Sequence, residues 1–143
     1  MDCERQDIEL NQQTLILIKP DGVRRGLIGE IISRFEKRQL SIIDVMMIRL
    51  TRETATSFYS PHKEKPFFNE LLEYMTSGSV IKLIAEGESA IEVVRSMIGS
   101  TNSLKALSGT IRGDFGLSLT ENVIHASDSP SSFDREKQIL DSI

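Results

Sequence analysis

Short apolar runs alternate with helix-period segments along the chain, and this order constrains the fold more than any other feature. Residues 14–19 form a continuous apolar run that suits a strand covered on both faces. The Pro-Asp-Gly sequence at 20–22 then has the composition of a turn. Residues 26–40 carry apolar side chains at i, i+3, i+4 and i+7, with Glu30 and Arg34 spaced as an i, i+4 ion pair. The chain therefore begins with a strand followed by a helix.

The same two patterns continue to the C-terminus. Strands are predicted at residues 41–50, 80–85 and 122–125, and helices at residues 51–59, 68–75, 89–98 and 130–140. The resulting βαββαβ order predicts an α/β (α+β) domain with a four-stranded antiparallel sheet and its main helices on one face. Residues 99–116 are predicted to form a long polar loop, and a loop of that length in a compact domain is often functional.

Length and composition exclude several classes of protein. The 143 residues suit one domain, which we place at residues 14–143 after a polar leader, residues 1–13, that lacks an apolar signal-peptide centre. The net charge of -4 makes nucleic acid unfavoured as the main partner, and no apolar run approaches the ~18 residues of a membrane span. A single cysteine cannot form an internal disulfide, so we expect a cytoplasmic protein. One cysteine and two histidines are too few for a zinc site, and no other metal site is predicted.

His125 is the most conspicuous polar residue of the C-terminal third. It follows the apolar pair Val123 and Ile124, and Ser129 and Pro130 then read as an N-cap and a first helical residue. His125 is thus predicted at a strand-to-helix junction. It can be a structural histidine, an acid/base group or a nucleophile, and the rest of the chain favours a nucleophile.

Cationic and hydroxyl side chains in and around the long loop suit phosphate. Arg95 precedes the loop, Thr101 and Arg112 lie within it, and Gly113 would permit close approach of the backbone. Lys19 lies at the end of the first strand. Neither a GxxxxGK[ST] loop nor a GxGxxG fingerprint is present, so side chains from separate segments must hold any phosphate. Each of these residues is a weak signal alone, and their joint presence with His125 makes them informative.

Six segments resemble the nucleoside diphosphate kinase family in order and spacing from about residue 14 to residue 140. They are Ile18-Lys-Pro-Asp-Gly-Val23, Arg25-Gly-Leu-Ile-Gly-Glu30, Lys65-Pro-Phe-Phe68, Gly99-Ser-Thr-Asn102, Gly109-Thr-Ile-Arg-Gly-Asp-Phe115 and Asn122-Val-Ile-His-Ala-Ser-Asp-Ser129. The resemblance implies a ferredoxin-like sandwich, in agreement with the element order. It also implies transfer of a γ-phosphate from a nucleoside triphosphate to a nucleoside diphosphate through a phosphohistidine, with ping-pong kinetics and low base specificity.

The resemblance assigns roles to positions that match the family's motifs. His125 matches the nucleophile, Glu136 the carboxylate that orients its ring, and Ser127 the supporting hydroxyl. Around the phosphates, the matching residues are Lys19, Tyr59, Arg95, Thr101 and Arg112. Asn122, with Lys19, matches the pair that contacts the ribose hydroxyl. Phe67 matches the aromatic residue that stacks on the base, and Leu119 matches the apolar residue on its other side. Mg²⁺ is expected to arrive with the nucleotide, held mainly by phosphate oxygens and water, and no protein ligand is named for it. The expected partners are nucleoside triphosphates and diphosphates and further copies of the chain, as a hexamer or tetramer.

Three residues depart from the family's pattern. Ala126 stands where the family usually has glycine, and Ser103 and Ser108 replace common prolines in a loop that often contributes to subunit contacts. Two other classes of function stay open beside the kinase. One is a nucleotide-binding module without turnover, and the other is a regulatory or nucleic-acid-associated protein, which the acidic charge disfavours as the main role.

Overall fold

The computed structural model describes residues 11–143, so residues 1–10 of the predicted leader lie outside the described part of the chain. Four strands and seven α-helices follow one another within it. They are β1 (Asn11–Ile18), α1 (Pro20–Arg24), α2 (Ile28–Lys37), β2 (Ser41–Ile48), α3 (Arg52–Phe58), α4 (Phe68–Met75), β3 (Val80–Glu88), α5 (Ala90–Ile98), α6 (Ile111–Phe115), β4 (Ile124–Ala126) and α7 (Pro130–Asp141), with a short 3-10 turn at Ser60–His62 between α3 and α4.

The sheet confirms the predicted antiparallel, four-stranded architecture. Its strand order is β2-β3-β1-β4, and β1 pairs with both β3 and β4 in the antiparallel sense. Each βαβ unit is therefore split by one strand lying between its two parallel strands. Because β1 is central, its C-terminal end lies beside β4, with Leu17 opposite His125. The register brings the end of the first apolar run next to the predicted nucleophile.

The two crossover helices, α2 and α5, lie on one face of the sheet as predicted, and further helices cover the other face. Alternate residues of β1 enter two separate cores: Ile16 and Ile18 pack in one, and Leu15 and Leu17 pack in the other. The first core is closed by α2 and α5, the two crossover helices. The second is closed by α3, α4 and α7. These helices were predicted from the sequence, but the face of the sheet that they cover was not. The apolar run of β1 is continuous because both of its faces are buried.

Four local predictions differ from the structure. The Pro-Asp-Gly sequence begins α1 instead of forming a turn, since proline is favoured at the first helical position and Asp21 is stabilised in the first turn. The predicted long loop contains α6, whose N-cap Thr110 accepts a hydrogen bond from Gly113 N. The strand β1 begins at Asn11, inside the predicted leader, and β4 begins at Ile124 instead of residue 122.

The predicted start of α7 and the ion pair of α2 agree with the structure. Ser129 caps α7 by accepting a hydrogen bond from Ser132 N at 3.1 Å, and Pro130 is the first helical residue. Glu30 and Arg34 form the predicted pair, with 3.1 Å between Oε1 and Nε. Within residues 11–143 no helix has both the length and the apolar character that crossing a membrane requires.

Candidate active site

Ten of the eleven candidate residues line one cavity of about 290 Å³ beside the C-terminal end of β1 and beside β4. They are Lys19, Tyr59, Phe67, Arg95, Thr101, Arg112, Leu119, Asn122, His125 and Glu136. The eleventh, Ser127, is fully buried and donates a hydrogen bond to Glu136. Five separate parts of the chain therefore meet here: the end of β1, the α3–α4 region, α5 with the loop after it, α6, and the segment from Leu119 to α7.

A strained turn at Val123 positions two residues of this cavity, Asn122 and His125. Val123 has a φ of 75°, and Ile124 N donates to Asn122 O at 2.9 Å, which closes a three-residue γ-turn with positive φ at its centre. A β-branched residue rarely adopts this conformation. Val123 O also accepts from Lys19 N at 2.8 Å, so the turn is bonded to the end of β1. It directs Asn122 and His125 toward the same cavity from either side of a fully buried valine.

The ring of His125 is held by a carboxylate. His125 Nε2 lies 2.9 Å from Glu136 Oε2, and Ser127 Oγ donates to Glu136 Oε1 at 2.6 Å. Because a carboxylate accepts hydrogen bonds, the ring proton is on Nε2 and the lone pair is on Nδ1. Burial lowers the pKa of His125 below its ordinary value, and Glu136 partly offsets this by raising it. The neutral ring with a free Nδ1 is therefore the dominant form at neutral pH.

Two aromatic side chains from the end of α3 support the same ring. The ring centroids of Phe58 and His125 are 5.0 Å apart, and those of Tyr59 and His125 are 6.0 Å apart, both in edge-to-face geometry. The Tyr59 hydroxyl is buried and has no hydrogen-bond partner among the described residues. Burial, and then Glu136, raise the pKa of this hydroxyl, so it keeps its proton and can donate to a ligand.

Lys19 forms the buried floor of the cavity. Its side chain is 5% exposed, and Nζ donates to Asn122 Oδ1 at 2.7 Å. Burial, followed by the nearby Arg112, lowers the pKa of Lys19 to about 7. Asn122 is fixed in turn by donating its amide to Thr101 O and Leu119 O. Lys19 has no carboxylate within salt-bridge distance in the described part of the chain, so an anionic ligand would relieve its burial.

Two arginines complete the cationic side of the cavity. Arg112, on α6, donates from its two terminal nitrogens to Gly99 O at 3.1 Å and Ile124 O at 2.7 Å, while its Nε is buried without a partner among residues 11–143. Burial, and then Arg95, lower the pKa of Arg112 to about 10, which leaves it charged at neutral pH. Arg95 is exposed at the rim and donates to Ala126 O at 3.2 Å. Like charges gathered without acidic partners are characteristic of a phosphate site.

The outer part of the cavity is apolar and open. Phe67 is half-buried and Leu119 is 47% exposed, and with the buried Leu71 they make up an apolar part of the cavity lining, here called the apolar slot. Lys65 Nζ lies 5.7 Å from the centroid of the Phe67 ring. Thr101 is exposed at the rim beside Arg95. An aromatic ring and aliphatic side chains in one cavity lining suit a planar ligand group.

Several cavity residues were missed from the sequence. The most notable are His62, Leu71, Arg135 and Phe58. His62 has a buried Nδ1 without a partner within the described range, and burial with Lys65 lowers its pKa. The available signal for His62 was its spacing, three residues after Tyr59 and three before Lys65. The position of Gly113 also differs from its prediction, since a Cβ there would lie 2.0 Å from Leu107 O, so the close approach is to the protein's own loop.

Two of the three departures from the expected pattern, Ala126 and Ser103, occupy buried positions. Ala126 is buried in β4, and the non-glycine residues with positive φ in the described part of the chain are Gln39, Ser89 and Val123, so no left-handed conformation requires glycine at 126. Ser103 is 7% exposed, and its hydroxyl lies against Gly116, where an added Cβ would be 1.9 Å away. The serine therefore packs inside the long loop.

Within residues 11–143, the carboxylates of the cavity wall are those of Asp128 and Glu136, and Glu136 is already bonded to His125 and Ser127. Among residues 11–143 no group of three metal-ligating side chains is assembled. The donor set of the cavity therefore fits a divalent cation held by phosphate oxygens and water, which is how Mg²⁺ commonly enters nucleotide sites.

Comparison with protein families matches residues 12–141 to the model described as nucleoside diphosphate kinase. The chain is 60% identical over 129 residues to the nucleoside diphosphate kinase of Staphylothermus marinus, covering 90% of this chain and 92% of that protein. It is 51% identical over 125 residues to that of Archaeoglobus fulgidus, covering 87% and 83% of the two chains.

Solved structures give the same result. The nucleoside diphosphate kinase of Aquifex aeolicus superposes with a TM-score of 0.88 at 43% identity, covering 91% of this chain and 94% of the other. That of Halobacterium salinarum, solved in complex with CDP, superposes with a TM-score of 0.89 at 39% identity, covering 91% and 87%. Agreement in both sequence and coordinates extends over nearly the whole described chain.

Proposed function

Since the chain belongs to the nucleoside diphosphate kinase family and is a phosphotransferase of that activity, we propose that it works in two steps through a phosphohistidine at His125. The observation that carries this proposal is the orientation of one imidazole. Glu136 is bonded to Nε2, so Nδ1 keeps its lone pair in a cavity whose lining includes Lys19, Arg95 and Arg112, none of which forms a salt bridge within residues 11–143. A neutral imidazole so oriented is a competent nucleophile at neutral pH.

In the first step, Nδ1 of His125 attacks the γ-phosphorus of a nucleoside triphosphate. The bond from that phosphorus to the bridging oxygen breaks, and the nucleoside diphosphate leaves with the electron pair. In the second step, a terminal oxygen of another nucleoside diphosphate attacks the phosphorus on Nδ1 and the P–N bond breaks. The ring recovers its lone pair while Nε2 keeps its proton, so Glu136 supports His125 throughout.

The cations and donors of the cavity offset charge on the transferring group. Lys19 and Arg112 are assigned to the buried phosphate oxygens, and Arg95 and Thr101 to those nearer the rim. The unpartnered Tyr59 hydroxyl is assigned as a further donor. Fixed donors of this kind stabilise a loose phosphoryl transition state without reorganisation. Mg²⁺, when bound, neutralises further phosphate charge, and we assign it no protein ligand.

Base recognition is assigned to the apolar slot. Phe67 stacks on one face of the base, Leu119 contacts the other face, and Asn122 with Lys19 reaches the ribose hydroxyl. Stacking reads no base edge, so we propose low base specificity. The CDP complex of the Halobacterium salinarum relative supports the inclusion of pyrimidine nucleotides. The single cysteine supports a cytoplasmic location, which stays a prediction.

We further propose that the chain forms a homo-oligomer, a hexamer or a tetramer. Strand β2 lies at the edge of the sheet, where Val45, Met46 and Met47 are 55%, 50% and 58% exposed. An apolar edge strand of this length favours pairing with another copy. Light scattering of the purified chain tests this proposal, because an oligomer gives a mass that is a multiple of 16.1 kDa.

The central proposal is tested with γ-labelled ATP and Mg²⁺. The wild-type protein should acquire an acid-labile, base-stable label that passes to added GDP, and His125→Ala should lose both labelling and transfer. His125→Gln is the matched variant, because its amide nitrogen lies close to the position of the histidine Nε2 and can still donate to Glu136, but it offers no nucleophilic ring nitrogen. An unlabelled wild type would leave the binding module, and wild-type transfer by either variant would refute the assignment of His125.

A further inference from the structure

Arg135 joins two helices that reach the nucleophile from different directions. It lies on α7, next to Glu136, and its guanidinium extends to the end of α3. Its Nη1 donates to Ser57 O at 3.0 Å, and its Nη2 donates to Phe58 O at 3.0 Å. One forked side chain therefore binds two successive backbone carbonyls.

Ser57 O also accepts a backbone N–H at the end of α3, and Arg135 adds one hydrogen bond there and one to Phe58 O. The last carbonyls of an α-helix have no partner within it, and the negative end of the helix dipole favours a cation there. Helix α3 has no basic residue in its own last turn. Arg135 supplies both the charge and the two hydrogen bonds, and a planar fork is suited to this where a lysine is not.

The end of α3 bears directly on the reacting ring. Phe58, whose carbonyl Arg135 binds, has its ring centroid 5.0 Å from that of His125, and Tyr59 is the next residue. The ring of His125 is thus held by Glu136 from α7 and by two aromatic edges from α3. Arg135 is bonded to the backbone of α3 and precedes Glu136 in the chain, so it fixes these supports relative to each other.

We propose that Arg135 is a positioning residue that clamps the end of α3 to α7 and thereby keeps Nδ1 of His125 aligned for in-line attack. The inference rests on the proposed role of His125. Arg95 and Arg112 also donate to backbone carbonyls, but the carbonyls that Arg135 binds belong to the end of α3, the segment that places Phe58 and Tyr59 against the ring of His125.

The test compares Arg135→Ala and Arg135→Lys with Lys137→Ala. Lys137 lies two residues away on the same helix and pairs only with Asp141 among the described residues, so its loss removes a charge without touching α3. Single-turnover labelling at saturating ATP and Mg²⁺ measures the transfer step, and equilibrium binding of ADP measures nucleotide affinity. A small misplacement of a reacting group costs up to about 100-fold in rate, so we expect a loss of about 10- to 100-fold for Arg135→Ala.

The expected pattern separates positioning from general support of the fold. ADP affinity should change by less than the transfer rate, because the main cations lie on β1, α5 and α6. Methylguanidinium should restore part of the rate of Arg135→Ala, whereas sodium chloride at the same concentration should not. Arg135→Lys should be intermediate, because it restores the charge but not the fork.

Two results would overturn the inference. The first is a folded Arg135→Ala protein that acquires label as fast as Lys137→Ala. If Arg135→Ala does not fold, the corresponding result is an Arg135→Lys protein that acquires label as fast as Lys137→Ala. The second is a loss of transfer rate that methylguanidinium does not relieve and that increases, from variant to variant, with the fall in thermal midpoint. Failure of the proposed function itself looks different, because the wild type would then acquire no label or His125→Ala would retain transfer.

Discussion

The floor and the rim of the cavity are built in opposite ways. On the floor, Lys19, Arg112, Asn122 and Glu136 are at most 5% exposed, and each is held by hydrogen bonds to other parts of the chain. At the rim, Leu119 is 47% exposed and has no hydrogen-bonding group, and the Phe67 ring has Lys65 Nζ 5.7 Å from its centroid. The floor is buried and charged, whereas the rim is open and carries the apolar Phe67 and Leu119 as well as Arg95 and Thr101.

This difference follows from what each part would have to recognise. The phosphoryl group is the same in every nucleotide, and fixed charges act most strongly where water is excluded. The base varies between substrates, and an aromatic surface binds any of them by stacking. Substitutions that make the floor apolar, or that remove the aromatic surface of the rim, therefore test whether the floor binds the phosphates and the rim binds the base.

The largest effect is expected from Lys19→Met, which makes the floor apolar. Removing a buried donor from the phosphate site should slow phosphoryl transfer by about 10²- to 10³-fold without abolishing it. The same variant should be more stable than the wild type at pH 6, by at least about 3 °C in thermal midpoint. Transfer assays and thermal melts of the variant and the wild type check both parts.

The gain in stability should depend on pH in a defined sense. The pKa of Lys19 is about 7 in the folded protein against 10.5 ordinarily, so between these values the unfolded chain binds more protons than the folded one. The cost of burying the charge is therefore present in full below pH 7, and it disappears as the pH rises toward 10.5. The advantage of methionine should shrink over that range. Arg95→Met, which removes an exposed cation, is the control and should show no such gain.

A smaller effect is expected from Phe67→Ala, which removes the aromatic surface of the rim. Loss of one stacking contact should raise the KM for nucleotides by about tenfold, with kcat changed far less. The increase should be similar for purine and pyrimidine diphosphates. Phe68→Ala is the matched control, because Phe68 begins α4 and should change stability more than KM. A rise confined to one class of base would contradict stacking as the basis of recognition.

The sequence alone predicts the floor better than the turn that supports it. The apolar run of β1 and the helical periods are local, so the βαββαβ order and the position of Lys19 at a strand end follow from them. The positive φ of Val123 does not, because its γ-turn is maintained by the bond between Val123 O and Lys19 N, more than 100 residues away. Local preferences of valine oppose that conformation, and only tertiary structure stabilises it.

Helix α6 and the contact of Arg135 with α3 were missed for a related reason. The five residues of α6 are too few to show a helical period, and only the Thr110 cap marked its start. Arg135 reads as an ordinary charged residue of a surface helix. Its partners are backbone carbonyls of α3, which carry no sequence signal. Residues that lie within recognisable sequence motifs could be assigned from the sequence. Arg135 could not, because it acts through the backbone carbonyls of another helix.

The smallest effect is expected from Ala126→Gly, which introduces the residue usual in the family. Ala126 lies in β4 without positive φ, and its carbonyl accepts from Arg95 at 3.2 Å, a contact that glycine preserves. Glycine in a strand costs about 0.5–1 kcal/mol relative to alanine, so the thermal midpoint should fall slightly. Transfer should stay within about twofold of the wild type, since neither the His125–Glu136 bond nor the cations change. A severalfold increase would instead mean that the Ala126 methyl crowds the phosphoryl group, and the floor would then be less well adapted to its ligand than its hydrogen bonds indicate.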